Sequence, residues 1–183
     1  MNPLDTPIGF SSTFLFVPGT RPERFIKALD SGADGVIIDL EDAVAEEDKE
    51  SARAAIRAAW PLFTAEQRKR LVIRSNSPGS HFYAADLILV QELDAACLLI
   101  PKSESLDQIN GAAQILPNTA IIPMIETAIG LNHLNEIANS DQVLRLALGN
   151  IDLQADLGMV CDAQETELQT ARFQIVLASR VAQ

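Results

Sequence analysis

Cysteine is nearly absent. Cys97 and Cys161 are the only two in 183 residues, too few for a disulfide framework. Neither lies in a CxxC or Cys/His neighbourhood, which argues against structural zinc. Cys97 falls in an apolar run, residues 95–100, and reads as a packed thiol rather than a reactive one. Basic residues are scarce as well: 14 Lys and Arg stand against 25 Asp and Glu, a net charge of −11 and a pI near 4.5. That balance, with no basic run anywhere, argues against non-specific binding to nucleic acid or to an anionic membrane. No apolar stretch approaches the ~20 residues of a membrane-spanning helix. Residues 1–9 carry neither the basic nor the apolar segment of a signal peptide. Nine Gly and nine Pro exclude a collagen-like or Pro-rich disordered chain. The expectation is a soluble, reduced, cytoplasmic protein forming one domain over residues 1–183, long enough to bury a substantial core.

What is present is an alternation of two kinds of segment. Short apolar runs predict strands at 13–17 (TFLFV), 35–40 (GVIIDL), 71–74 (LVIR), 96–100 (ACLLI), 120–125 (AIIPMI) and 143–148 (VLRLAL). The fifth contains Pro123, which normally demotes a strand, so that assignment rests on the pattern around it. Helices are predicted at 21–31, with Pro22 in the first turn, and at 48–60. The second of these sets Ala, Ile and Trp on one face and Lys49, Arg53 and Arg57 on the other, and its start, residues 48–50, reads as solvated charge. Further helices are predicted at 84–92 (though LILV at 87–90 also fits a strand), 106–116, 131–138 and 166–181. The last offers Leu168, Phe173, Ile175, Val176 and Leu177 for burial. Six βα units with short connections imply a parallel sheet covered by helices, closed either as an open doubly wound sheet or as a (β/α)8 barrel. No GxGxxG or Walker A loop follows the first strand, which weakens nucleotide-binding versions of the former.

The polar residues of chemical interest fall just after the apolar strand cores: Arg21; Asp39, Glu41 and Asp42; Arg74 and Asn76; Lys102; Glu126; Asp152. In a parallel barrel these strand ends open on one face, where barrel enzymes build their sites. Glu126 and Asp152 at one rim could hold Mg²⁺, which takes a few carboxylates and keeps other positions for water and substrate. They read equally as solvated loop acids. His81 and His133, in a loop and on a predicted helix, supply no zinc-type companions. Arg74 could clamp a carboxylate or carbonyl oxygen, or pair with an acid such as Glu41, or do both. The acids of 39–42 (DLED) are too dense to coexist without a cation or an Arg nearby.

Several blocks occur together and in order: FLFVPGTRPERFIKAL (14–29), DGVIIDLEDAVAEEDKESAR (34–53), VIRSN (72–76), IPK (100–102), PMIETAIGL (123–131) and LGNIDLQADLG (148–158). With them the chain resembles the citrate lyase β-subunit-like proteins, grouped with malyl-CoA and methylmalyl-CoA lyases in the HpcH/HpaI aldolase superfamily. The resemblance runs from about residue 12 to the C-terminus. It implies a TIM (β/α)8 barrel and a Mg²⁺-dependent carbon–carbon lyase acting on acyl-CoA, or acyl-carrier, thioesters of 3-hydroxy acids. By motif position, Glu126 and Asp152 resemble the metal ligands and Arg74 the arginine that contacts a keto-acid fragment. Glu41 and Asp42 match residues that position metal-bound water or Arg74. Arg21, Pro18 and Gly19 match a loop near the thioester or pantetheine entry, and Lys102 lies at the same rim. A homo-oligomer, a trimer or a dimer of trimers, is also implied.

Two features depart from the family pattern. A (β/α)8 barrel takes ~250 residues, whereas here the sixth βα unit is the last before Gln183. The barrel is therefore expected to be truncated after that unit, with a fragment, a partner-supplied wall or a different closure as the three readings. The loop SNSPGSHFY (75–83) also differs from the family run. Two other functions stay open: a class II keto-acid aldolase that needs no CoA, and a catalytically silent barrel subunit.

Overall fold

The computed structural model describes residues 6–182. Residues 1–5 and 183 lie outside them, and with them most of the segment read for a signal peptide. Six strands form one parallel sheet in the order of the sequence: β1 (Phe14–Pro18), β2 (Gly35–Asp39), β3 (Leu71–Arg74), β4 (Cys97–Ile100), β5 (Ala120–Ile125) and β6 (Ala147–Leu148). A doubly wound sheet reverses its strand order at a switch point. Here the order never reverses, which is the winding of a barrel wall. The helices are α1 (Phe25–Leu29), α2 (Lys49–Ala59), α3 (Ala65–Arg68), α4 (Tyr83–Glu92), α5 (Leu106–Ile115), α6 (Ala128–Asn132), α7 (Leu134–Ala138), α8 (Asn150–Asp156) and α9 (Gln169–Val181).

The strands are apolar on both faces, and the period of two sorts their side chains into two layers. Val36, Ile38, Leu71, Ile73, Leu98 and Ile100 point outward into a large core shared with the helices. Ile37, Val72, Cys97, Leu99, Ile122 and Met124 point inward and pack on one another. Each such aliphatic side chain, fully buried, contributes about 1.5–3 kcal/mol. Cys97 is buried among them, which pushes its thiol pKa up and keeps it inert, in line with the sequence reading. β5 runs through Pro123 without a break, in register with Ile100.

Laid flat, six strands would set β1 and β6 roughly 24 Å apart. Instead the segments that precede them meet. Arg145 Nη1 donates to the carbonyls of Ile8 (3.2 Å) and Ser11 (2.7 Å) and its guanidinium lies 5.3 Å from the Phe14 ring centre. Ile8, in a short 3-10 turn (Pro7–Phe10), plugs the inward layer from the N-terminal end. The sheet therefore curls, its two edges turning toward each other.

Several boundaries differ from the sequence reading. The first predicted helix is a 3-10 turn (Pro22–Arg24) running into the short α1. The helix predicted at 131–138 is two, α6 and α7, parted at His133, whose Nδ1 lies 2.8 Å from the Glu104 carbonyl. β6 keeps only two residues of 143–148, with an isolated bridge between Ile121 and Val143. The LILV ambiguity resolves as helix, within α4. The polar face assigned to α2 is a correction: Lys49 and Arg53 are buried, and only Arg57 stays at the surface, with Glu92 at 2.7 Å. Lys49 Nζ donates to the carbonyls of Leu40 and Glu41, both at 2.6 Å, and so anchors the acidic turn after β2. Burial lowers its pKa. α9 is a correction too. Leu168, in the 3-10 turn ahead of α9, is buried, but Phe173, Val176 and Leu177 are exposed: among the described residues no strand pairs with the outer edge of β6 to receive that face.

Candidate functional site

The same period of two that fills the inside of the sheet carries polar residues to its mouth. Asp39 follows Ile37 by two, Arg74 follows Val72 by two, and Glu126 follows Met124 by two. Each continues the inward column of its strand past the last apolar residue, at the C-terminal end. They line one cleft of about 590 Å³ with Phe16, Gly149 and Asp152.

Asp39 and Arg74 are register partners on adjacent strands. Asp39 accepts two parallel hydrogen bonds, from Arg74 Nε (2.7 Å) and Nη2 (2.6 Å), a bidentate pair that fixes the guanidinium plane. Asp39 also accepts from the backbone N–H groups of Glu41 and Ala43. The Phe16 ring centre lies 5.1 Å from the guanidinium carbon. At the other end, Arg74 Nη1 is 3.0 Å from Glu41 Oε2 and 3.7 Å from Asp42. The Glu41 contact is an ion pair without hydrogen-bond alignment, since Glu41 Oε2 is buried with no hydrogen-bond partner. The Nη1 edge therefore keeps its donors for another acceptor. Burial would lower the Arg74 pKa, but Asp39 first, then Glu41 and Asp42, more than offset it and hold the charge.

Glu126 sits at 3% exposure at the start of the turn after β5. Thr127 beside it caps α6, accepting from the Gly130 N–H. Glu126 Oε1 accepts from the Lys102 N–H at 2.8 Å. Its Oε2 lies over Gly149, where a Cβ would come within 2.1 Å, so only glycine leaves room for this carboxylate. Burial is the main cause that pushes Glu126 up to about 7, with the charges of Glu41 and Asp152 adding to it and the Lys102 N–H opposing. Asp152 stands in the first turn of α8. Lys102 joins the acids: its Nζ is 2.9 Å from Glu41 Oε1 and 3.0 Å from Asp152 Oδ2. Burial raises Glu41 as well, against the pull of Lys102 and Arg74.

Arg74, Glu41, Asp42, Lys102, Glu126 and Asp152 are thus brought together at one mouth. Pro18 ends β1 in register with Asp39, and the Gly19 N–H donates to the Asp39 carbonyl at 2.8 Å. Arg21 is not in this group; it is exposed and pairs with Glu23 at 2.6 Å. Neither His81 nor His133 lines the cleft. Sequence reasoning missed the Asp39 clamp, the Lys49 anchor, the need for Gly149, and α8 itself. It also missed Asp156, the second acid of the DLxxDLG block, which accepts from the Ala128 N–H at the start of α6 at 2.7 Å. The signal available was position: Asp39 is the last residue of the apolar run on the inward column, level with Arg74, whereas Glu41 lies past the strand end.

Among the described residues no three carboxylate, imidazole or thiolate side chains gather as a ligand set. Glu126 and Asp152 offer oxygen donors alone. That suits a hard divalent cation which keeps waters and substrate oxygens in its other positions, not zinc.

Residues 12–183 match the family model HpcH/HpaI aldolase/citrate lyase. A (3S)-malyl-CoA thioesterase of Cereibacter sphaeroides is 31% identical over 167 residues, covering 91% of this chain and 58% of the relative. A citrate lyase subunit beta-like protein of Mycobacterium tuberculosis is 39% identical over 145 residues, covering 79% and 50%. Protein CitE of Mycobacterium tuberculosis, solved in complex with magnesium, acetoacetate and coenzyme A, aligns with a TM-score of 0.82 at 34% identity, over 95% of this chain and 64% of that one. The chain spans about half to three-fifths of the length of these curated relatives. A match over nearly the whole sequence decides what the winding of the sheet alone left open: the chain belongs to the HpcH/HpaI aldolase/citrate lyase family.

Proposed function

We propose that this chain carries the core of a Mg²⁺-dependent carbon–carbon lyase site. It would cleave, or in reverse form, 3-hydroxyacyl-CoA thioesters of the citryl-CoA or malyl-CoA type, giving a keto acid and an acyl-CoA. The observation that carries this reading is the convergence of Arg74, Glu126 and Asp152 on one cleft at the C-terminal strand ends. The magnesium, acetoacetate and coenzyme A held by the CitE structure support ion, keto acid and thioester as partners. The six βα units then form the first six of a (β/α)8 barrel. Arg21, Pro18 and Gly19 serve the thioester end, and the working protein is a homo-oligomer, a trimer or a dimer of trimers, in the cytoplasm.

In this reading Glu126 and Asp152 hold the Mg²⁺, which supplies Lewis-acid polarisation of the keto-acid carbonyl. Arg74, its plane fixed by Asp39, turns its Nη1 edge to the keto-acid carboxylate and orients the scissile bond. Its charge stabilises negative charge that develops during cleavage. Glu41 and Asp42 flank the same Nη1, at 3.0 and 3.7 Å, and hold that edge at the cleft from one side. Lys102 borders the substrate at the same rim.

The test is turnover of malyl-CoA with and without Mg²⁺, following keto acid and free thiol separately. Keto-acid release that requires both Mg²⁺ and the CoA ester is expected. It should fall at least ~100-fold in Glu126→Gln and in Arg74→Lys, because Lys lacks the planar fork. A second reading, thioester hydrolysis, has the 31% identical thioesterase behind it. Free thiol without keto acid would establish it. Cleavage of the free acid would mark a CoA-independent aldolase, and no turnover with no Mg²⁺ binding a silent subunit.

A further inference from the structure

We propose that the Lys102 ammonium and the divalent cation are alternative partners of Asp152: Lys102 is the site's built-in counter-ion, and the cation binds by exchange with it. This rests on reading Glu126 and Asp152 as the ligands of the ion.

The argument starts from the backbone. Lys102 has φ of +46°, the left-handed region that side chains with a Cβ seldom occupy, and such strain persists only where the surroundings over-determine it. Here the turn has two results. It aims the Lys102 N–H at Glu126 Oε1, at 2.8 Å. It also sends the side chain across the mouth, to Glu41 Oε1 at 2.9 Å and Asp152 Oδ2 at 3.0 Å. One residue thus contacts three acids, two of them the candidate ligands. An ion held by Asp152 would stand a few ångströms from the ammonium, and like charges that close repel even where both side chains are partly exposed. Glu41 offers the ammonium a place to remain. Its Oε1 already accepts from Nζ, and its Oε2 is buried with no hydrogen-bond partner. The side chain is 37% exposed, so it is free to swing away from Asp152 without disturbing the core. Cation binding is then the replacement of one positive charge by another, which makes it weaker than two unneutralised carboxylates would allow.

Calorimetric titration with Mg²⁺ at constant ionic strength tests this in the full chain, in Lys102→Met and in Lys102→Gly. Both variants keep the N–H that serves Glu126, and Lys102→Gly also relieves the left-handed backbone. The exchange predicts Mg²⁺ binding about tenfold tighter, or more, in both. It also predicts that Mg²⁺ shifts the Lys102 side-chain NMR signal of the unsubstituted chain. Unchanged or weaker binding in both variants, with Glu126→Gln still abolishing it, overturns the exchange and leaves the metal site standing. Failure of the unsubstituted chain and both variants alike to bind Mg²⁺ overturns the exchange together with the lyase reading.

Discussion

At Glu126 the chain buries a carboxylate with one oxygen on a backbone N–H and the other against Gly149. Few local patterns announce such a residue, because its environment comes from three segments far apart in the chain. Its consequence is a pH dependence of stability. The folded state raises the Glu126 pKa from 4.5 to about 7, so it holds the proton more tightly than the unfolded chain does. The contribution is fully present below the unfolded value and is lost as pH rises through the folded one. In a chelating buffer, urea denaturation should show this group's share of stability falling by up to about 3 kcal/mol between pH 4.5 and 7. Glu126→Gln should remove that part of the slope. Equal slopes in the two proteins would assign it elsewhere. Lys49 makes the complementary point. Its spacing places it with Arg57 on a polar stripe, yet it is 5% exposed, its ammonium spent on two carbonyls of the turn that carries Glu41.

Between elements, the buried tie is Asp86 on α4, which has no exposed surface. It accepts from Arg53 Nη1 on α2 at 2.9 Å, and from both the backbone N–H and the side-chain amide of Asn76 at 2.7 Å. Two helices and the turn after Arg74 are joined at one carboxylate. Asp86→Ala leaves Arg53 Nη1 and the Asn76 donors without their acceptor, while Glu50 still pairs the rest of the guanidinium, and should cost about 1–3 kcal/mol in chemical denaturation. A loss below about 1 kcal/mol would mean that the loop and helices relax independently of this tie. The strands were legible because each is a short apolar run between turn residues. α8 was not: in NIDLQAD only Leu153 is buried, and the helix is held by Asp156 reaching the start of α6, a contact no local window contains.

For the whole molecule, the open edges matter most. Among the described residues β1 and β6 each have one neighbour, and α9 turns Phe173 and Val176, each 66% exposed, away from the sheet. An apolar helix face of this kind favours association. The chain should therefore show a mass that rises with concentration in light scattering, and Phe173→Glu with Val176→Lys should suppress the rise. A constant monomer mass in the unsubstituted protein would refute it.

The alternation of apolar runs and amphipathic segments was sufficient to place six parallel strands and to put the candidate site residues at their C-terminal ends, because strand burial and side-chain period are local properties of the sequence. The motif blocks likewise contained the family. Which acid grips Arg74, which lysine crosses to Asp152 and which glycine makes room for Glu126 were decided only when the sheet curled. Those contacts join residues 23 to 50 positions apart, and their partners are set by the geometry of the mouth rather than by any spacing along the chain.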